Sequence, residues 1–219
     1  MRRNLLILAY VLFCCNSQAQ NDSLLYRLTP FVKGGLTIGF FEGKTSSDSS
    51  VGHTGFHLET GVWFPFYRGK RDTWCLVPSL RFITKGDVWE VFDGERVFAN
   101  MQYIEMPVDV AICFSSKKCH GLIGGGLYIG YGIGGRLSGS NNLYIYHGYR
   151  LKEKPAVFGS EVRVNRWDYG FNLMGAVQLW HLYLSVDFDL GLAKLAPSRL
   201  DGNDNSSNVA ISLSVGYAF

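Results

Sequence analysis

The stretch NVAISLSVGYAF, residues 208–219, alternates between apolar and small side chains over its full length. Its apolar members are Val209, Ile211, Leu213, Val215, Tyr217 and Phe219. Successive side chains of a β-strand point to opposite faces, so this stretch predicts a strand with one continuous apolar face. A strand of this kind favours an all-β fold.

Seven further segments show the same period of two. Each is about ten or more residues long with one apolar face, as expected of a tilted transmembrane β-strand. The eight predicted strands are 31–41, 55–66, 74–85, 101–114, 121–137, 168–179, 182–194 and 208–219. The predicted fold is therefore an all-β, eight-stranded antiparallel up-and-down transmembrane β-barrel.

The connections between the predicted strands alternate in length. Short connections fall at 67–72, 115–119 and 180–181, and long ones fall at 42–54, 86–100, 138–167 and 195–207. Tight periplasmic turns and longer external loops are typical of barrels in the bacterial outer membrane. An even number of strands then places both termini in the periplasm.

The first residues predict export. A short basic region, an apolar run over 5–15 and the triplet Ser17-Gln18-Ala19 form the pattern of a secretory signal peptide. We expect a cleaved signal peptide at 1–19 and an outer-membrane barrel domain at 20–219. A lipoprotein signal that uses Cys14 or Cys15 is the alternative. The formal net charge of +3 gives no reason to expect a nucleic-acid partner.

Alternation alone does not say which face points outward, since soluble barrels of the calycin type turn an apolar face inward around a ligand. The opposite face decides between the two. It contains mainly glycine, alanine and serine with a few isolated charges, which suits the crowded lumen of an eight-stranded barrel. We therefore expect the apolar face to contact lipid of the outer membrane.

The charged residues on the inner face must find partners, because a buried unpaired charge is costly. The short turn at 67–72 places Glu59 opposite Arg81, and the next connection brings Glu105 and Asp109 near Arg81. These four residues predict a charge network in the lumen. We expect a structural ionic plug; a proton or ion relay is the alternative.

Several short motifs occur in an order and spacing that cover most of the mature chain: 33–37 (KGGLT), 55–57 (GFH), 76–82 (LVPSLRF), 103–107 (YIEMP), 126–130 (GLYIG), 190–192 (LGL) and 216–219 (GYAF). Together they resemble the PorT-like outer-membrane β-barrel family of Bacteroidetes. The resemblance implies the barrel fold and a place in the cell envelope. The named member of that family is linked to protein secretion across the outer membrane. Function does not follow from fold alone.

The remaining motifs give weaker evidence about function. The glycines in 130–135 (GYGIGG) match a dinucleotide-binding pattern, but no helix follows them. The five histidines show no metal-ligand spacing, so we expect no metal. An acyl-modifying barrel enzyme would need a Ser-His-Asp set at the lipid face, where the sequence has only aliphatic residues, so we expect no catalysis and no cofactor. Among the mature cysteines, Cys75 and Cys113 share inner parity at one end of the barrel. A Cys75–Cys113 disulfide, a Cys113–Cys119 disulfide and three free thiols all remain open.

The longest predicted loop is rich in aromatic and basic residues, which suits contact with carbohydrate, lipid phosphate or protein. The alternative is that the adjoining strands extend beyond the membrane as a hairpin. The contact candidates in this loop are Tyr144, Tyr146, His147, Tyr149 and Arg150.

The expected function is that of a non-enzymatic, monomeric outer-membrane barrel that serves as a membrane anchor and interaction module. Envelope or secretion proteins would contact its external loops. The alternative is a small pore or transporter for ions or an apolar solute. A soluble lipid carrier is a third possibility.

Overall fold

The computed structural model describes residues 28–42, 52–69, 72–92, 95–115, 120–139, 144–146, 149–151, 156–158, 164–195 and 206–219. Ten strands lie in these ranges: β1 (Thr29–Glu42), β2 (His53–Arg68), β3 (Asp72–Phe92), β4 (Glu95–Ser115), β5 (His120–Gly139), β6 (Tyr144–Tyr146), β7 (Tyr149–Leu151), β8 (Trp167–Leu179), β9 (Leu182–Gly191) and β10 (Ser207–Ala218). The predicted signal peptide and the first residues of the predicted mature domain, 20–27, lie outside them.

Eight of these strands form a closed antiparallel barrel, in the order β1-β10-β9-β8-β5-β4-β3-β2. The last strand closes the barrel against the first, with Phe31 paired to Ala218 and Glu42 paired to Ser207. The eight-stranded antiparallel barrel predicted from the alternating pattern is therefore confirmed. Strands β6 and β7 form a separate two-stranded sheet. None of the described residues belongs to a helix long and apolar enough to cross a membrane.

The two faces of the barrel wall follow the sequence alternation. In β10, for example, Ile211, Leu213 and Val215 are exposed, whereas Ser212 and Ser214 are buried in the lumen. An exposed apolar face that continues around a whole barrel needs lipid rather than water around it. The soluble-carrier alternative is therefore wrong, because its apolar face would have to point inward.

Strands β3 and β4 are longer than the sequence predicted. The residues 86–100 were predicted to form a long loop, but β3 and β4 remain paired as far as Phe92 and Glu95. A register shift between Val88 and Glu90 interrupts the period of two in this segment, so the alternation did not reveal these strand ends. At the other strand ends, β9 ends at Gly191 rather than at 194.

The end of the barrel where β3 and β4 project is called here the loop end, and the end with Pro30 and Phe219 is called the terminus end. The projecting hairpin leans against β1. A Cβ at Gly39 would lie 2.6 Å from the Gly86 backbone nitrogen, so the two strands can approach this closely because residue 39 has no side chain. The Asp87 carboxylate accepts hydrogen bonds from the Phe41 and Gly52 backbone N–H groups, at 3.1 and 3.2 Å.

Candidate functional site

The most distinctive site is a cluster of buried charges in the barrel lumen, and Arg81 on β3 is its centre. Register places Arg81 opposite Glu59 of β2 on one side and Glu105 of β4 on the other. Its Nη2 atom lies 2.7 Å from Glu105 Oε2 and 2.8 Å from Asp189 Oδ2 on β9. Its Nη1 atom lies 4.0 Å from Glu59 Oε2. One guanidinium thus joins carboxylates from three other strands, two of them adjacent to β3 and one across the barrel.

Lys85 lies four residues nearer the loop end of β3 and extends this cluster. Its Nζ atom lies 2.7 Å from Glu105 Oε1 and 3.2 Å from Asp168 Oδ2 on β8. The same ammonium group lies 4.5 Å from the centre of the Tyr128 ring, within the range of a cation–π contact. Asp168 also accepts hydrogen bonds from Asn208 Nδ2 at 3.0 Å and from the Tyr128 hydroxyl at 3.3 Å.

Lys33 on β1 forms the third basic centre. Its Nζ atom lies 2.8 Å from Asp187 Oδ2 and 3.4 Å from Glu59 Oε2, so Glu59 links the Lys33 and Arg81 centres. The Ser185 hydroxyl donates a hydrogen bond to Asp187 at 3.1 Å. Each of the three cations is therefore held by at least two carboxylates, as a buried charge requires.

His57 lies beside these charges, and both of its ring nitrogens are hydrogen-bonded. Its Nδ1 atom lies 3.0 Å from the Thr37 hydroxyl, and its Nε2 atom lies 2.7 Å from the Ser214 hydroxyl. The ring is buried in the lumen. Within the described part of the chain, no three His, Cys, Asp or Glu side chains are grouped so that they could hold a metal ion.

Apolar clusters lie on both sides of the charges. The cluster at the terminus end contains Phe31, Trp63, Cys75, Val77, Ala111, Cys113, Leu122, Met174, Ala176, Tyr183 and Ala218. The cluster at the loop end contains Phe41, Ile83, Ala99, Met101, Tyr103, Leu137, Val157, Phe158, Val164 and Leu195. Charged groups between two dry layers interact strongly, since little water screens them.

The loop-end cluster includes a segment from outside the barrel wall. Phe158 is buried and packs edge-on against Tyr103, with ring centroids 5.6 Å apart. The ring occupies the space over Gly132, where any side chain would overlap it. Arg166 fixes the segment by donating hydrogen bonds to the Phe158 and Gly132 carbonyl oxygens, at 2.9 and 3.1 Å. Residues 156–158 thus cap the lumen.

The four network residues predicted from sequence do not all meet. Glu59, Arg81 and Glu105 lie together as described, whereas Asp109 has no ion pair within 4.0 Å among the described residues, and its Oδ1 atom has no hydrogen-bond partner there. Asp109 lies four residues from Glu105 along β4, which separates the two by about 13 Å. Register accordingly places it opposite Val77 rather than Arg81. Asp189 takes the position expected for Asp109.

The external-loop candidates lie in the small separate sheet. Tyr144 and Tyr146 belong to β6, and Tyr149 and Arg150 belong to β7, with Tyr146 paired to Tyr149. His147 lies outside the described residues. The loop therefore forms its own short hairpin rather than an extension of β5 and β8.

The two described cysteines lie side by side in the terminus-end cluster. The Cys75 and Cys113 Sγ atoms are 3.2 Å apart, and both thiols are free. Cys119, the alternative partner of Cys113, lies outside the described residues.

A closed antiparallel barrel with an apolar outer wall and a filled, polar lumen defines the chain as a transmembrane β-barrel protein. The sequence model of the family described as "Outer membrane protein beta-barrel domain" matches residues 18–196. The chain belongs to this family and is an outer-membrane β-barrel protein. Comparison with curated protein sequences gives no significant match.

Several solved structures are similar to the chain at low identity. Ail, the attachment invasion locus protein of Yersinia pestis, was solved in complex with the heparin analogue sucrose octasulfate. It is 13% identical over 88% of this chain and 99% of its own, with a TM-score of 0.43. Neisserial surface protein A is 9% identical over 86% and 95%, with a TM-score of 0.42. The outer membrane enzyme PagL is 8% identical over 85% and 97%, with a TM-score of 0.45.

Proposed function

We propose that the chain is a sealed, non-enzymatic barrel that anchors its long connections at the surface of the outer membrane and acts through them as an interaction module. The observation that carries this proposal is the filled lumen. Ion pairs centred on Arg81, Lys85 and Lys33 occupy its middle, and apolar side chains occupy both ends. A barrel of eight strands has an interior just wide enough for such side chains.

The filled lumen argues against the pore alternative. An ion crossing the barrel would have to separate Arg81 from Glu105 and Asp189, which lie 2.7 and 2.8 Å from it. Separating one member of a buried pair costs about 3–5 kcal/mol. The ion would also have to displace the Phe158 cap. The same pairing supports an ionic plug over a proton relay, since each basic group already has its carboxylate partners.

The absence of catalysis is part of this proposal. His57, the histidine nearest the lumenal charges, is bound between Thr37 and Ser214 and is 2% exposed. A substrate could reach it only through one of the apolar clusters. The two termini of the barrel lie at the same end, where the Phe219 N–H donates to the Pro30 carbonyl at 2.9 Å. We assign this end to the periplasm, because the shorter turns are there.

The loop end would then face the outside of the cell, and the hairpin of β6 and β7 would be the contact surface. Its tyrosines and Arg150 supply residue types that are enriched where proteins bind one another. We propose a monomer in outer-membrane lipid that contacts envelope or secretion proteins through this hairpin. The PorT-like secretion-accessory role is the most specific form of the proposal, and it rests on the sequence resemblance.

Site-specific photocrosslinking in intact cells tests this proposal. A photoreactive phenylalanine analogue replaces Tyr146 in the hairpin or, as a control, Trp180, which is 79% exposed in the turn at the terminus end. We expect one discrete protein adduct from position 146, weakened by Arg150→Ala, and no such adduct from position 180. Adducts that form equally from both positions, or from position 180 alone, would refute a loop-end interaction module.

A further inference from the structure

The outer wall of the barrel has an apolar hollow on β5, β8 and β9. Its volume is about 630 Å³, and its outward-facing lining consists of Gly125, Leu127, Phe171, Leu173, Phe188 and Leu190. The hollow exists because Gly125 has no side chain at an outward position. A Cβ there would lie 2.8 Å from Leu173 Cδ2, so Leu173 forms the side of the hollow next to the glycine. The two phenylalanines and the leucines around it form the raised border.

Aromatic side chains lie between this hollow and the loop end of the same strands. Trp167 is paired with Tyr131, and Tyr169 is paired with Ile129. The Trp167 and Tyr131 rings meet edge-on at 5.1 Å, and both rings are partly exposed on the outer wall. Tryptophan and tyrosine in such a position mark the level at which the hydrocarbon core meets the headgroups.

Two exposed basic residues lie just above these rings. Arg166 precedes Trp167, and its guanidinium carbon lies 5.9 Å from the centre of the Tyr131 ring. Lys194 lies on a segment tied to the same place, because Asn165 donates hydrogen bonds to the Lys194 and Leu195 carbonyl oxygens, at 3.3 and 2.9 Å. Arg166 uses two of its five N–H groups on carbonyl oxygens and is still exposed, so the others can bind an anion.

The distance from the interfacial rings to the hollow matches the dimensions of one lipid molecule. Trp167 and Phe171 are four residues apart, or about 13 Å along the strand, which a strand tilt near 40° reduces to about 10 Å of depth. One leaflet contributes about half of the 30 Å hydrocarbon core. A hollow at this depth is therefore level with the acyl chains of a lipid whose headgroup lies beside Arg166 and Lys194.

We propose that the strip of outer wall from Arg166 and Lys194 to the hollow is a binding site for a membrane lipid with a net negative phosphate headgroup. Arg166 and Lys194 bind the headgroup phosphate, the rings of Tyr131 and Trp167 lie at the interface, and one acyl chain fills the hollow over Gly125. The site does not use the β6–β7 hairpin, so it is independent of the proposed interaction role. It shares only Arg166 with the lumen, because Arg166 also fixes the Phe158 cap.

Native mass spectrometry of the refolded full chain in detergent micelles tests the site, with dipalmitoyl phosphatidylglycerol and dipalmitoyl phosphatidylcholine as competing probes. We expect one phosphatidylglycerol per chain, bound at least about tenfold more tightly than phosphatidylcholine. Both lipids carry a phosphate, but the choline ammonium of phosphatidylcholine offsets that charge and would be repelled by Arg166 and Lys194, whereas phosphatidylglycerol is a net anion. Equal binding of the two lipids would overturn the headgroup site.

Matched variants separate the two halves of the site. Lys194→Gln should weaken phosphatidylglycerol binding several-fold, whereas Arg136→Gln, at an exposed residue farther along β5, should not. Leu173→Trp fills the hollow and should weaken binding, whereas Leu213→Trp on β10, equally exposed at about 60%, should not. Retention of the folded-state gel shift checks each variant. Equal effects of the two tryptophans, or full competition by inorganic phosphate, would overturn the acyl-chain site.

Discussion

Replacement of Arg81 by methionine is expected to destabilise the barrel more than almost any other single change in the lumen. Methionine keeps much of the side-chain volume but removes the positive charge. Glu105 would retain Lys85 at 2.7 Å, whereas Asp189 would keep only Lys85 at 3.8 Å and the Asn172 amide at 2.6 Å. Removing one partner of a buried ion pair costs about 3–5 kcal/mol. This corresponds to a loss of about a hundredfold or more in the folding equilibrium constant.

The assay is equilibrium unfolding in urea after refolding into lipid vesicles, followed by tryptophan fluorescence and by gel shift. Coincidence of the two probes justifies a two-state free energy of unfolding. Arg81→Lys serves as the control that keeps the charge but loses the planar fork, so its loss should be smaller.

A double-mutant cycle with Asp189→Asn isolates the ion pair. Removing both charges relieves the unpaired carboxylate, so the double variant should be more stable than the sum of the single effects predicts, by about 1–3 kcal/mol. An Arg81→Met variant within 0.5 kcal/mol of the parent would refute the reasoning, as would strict additivity in the cycle.

Two further predictions concern the ends of the lumen. Phe158→Ala should lower the free energy of unfolding by about 3 kcal/mol, because it leaves a cavity beside Tyr103. The control in the same urea titration is Phe171→Ala, on the lipid face. Equal losses of stability in the two variants would contradict a cap at Phe158. Cys75 and Cys113 should form a disulfide with a mild oxidant, since their sulfurs are 3.2 Å apart. Mass spectrometry after alkylation should then find neither thiol labelled, and two labelled thiols would contradict this.

Much of the barrel follows from local rules. Alternation in stretches such as 208–219 predicts both the strands and their outward faces, since each lipid-facing position must be apolar. The short connection between β2 and β3 limits their register, and Glu59 lies opposite Arg81 as predicted. A bulge between Pro65 and Tyr67 shifts the pairing by one residue, and the turn length alone could not predict it. The pairing of two strands joined by a tight turn can therefore be predicted approximately without knowing the rest of the fold.

Contacts across the lumen could not be predicted in this way. Arg81 and Asp189 are 108 residues apart and meet because the closed barrel brings β9 opposite β3. Asp168 has the inner parity of the predicted strand 168–179, but alternation gives only the direction of a side chain, so its pairing with Lys85 could not be predicted. The Phe158 cap comes from a connection with no regular period, and its only signal is the glycine at 132 that accommodates the ring.

Single-channel recording in planar bilayers tests the sealed lumen most directly. The sample is the refolded chain, whose closed barrel is first verified by a gel shift between unboiled and boiled protein. A lumen filled by the Arg81 cluster and both apolar layers predicts a current indistinguishable from that of the protein-free bilayer. Discrete conductance steps that scale with the amount of folded protein would contradict a sealed barrel and favour the pore.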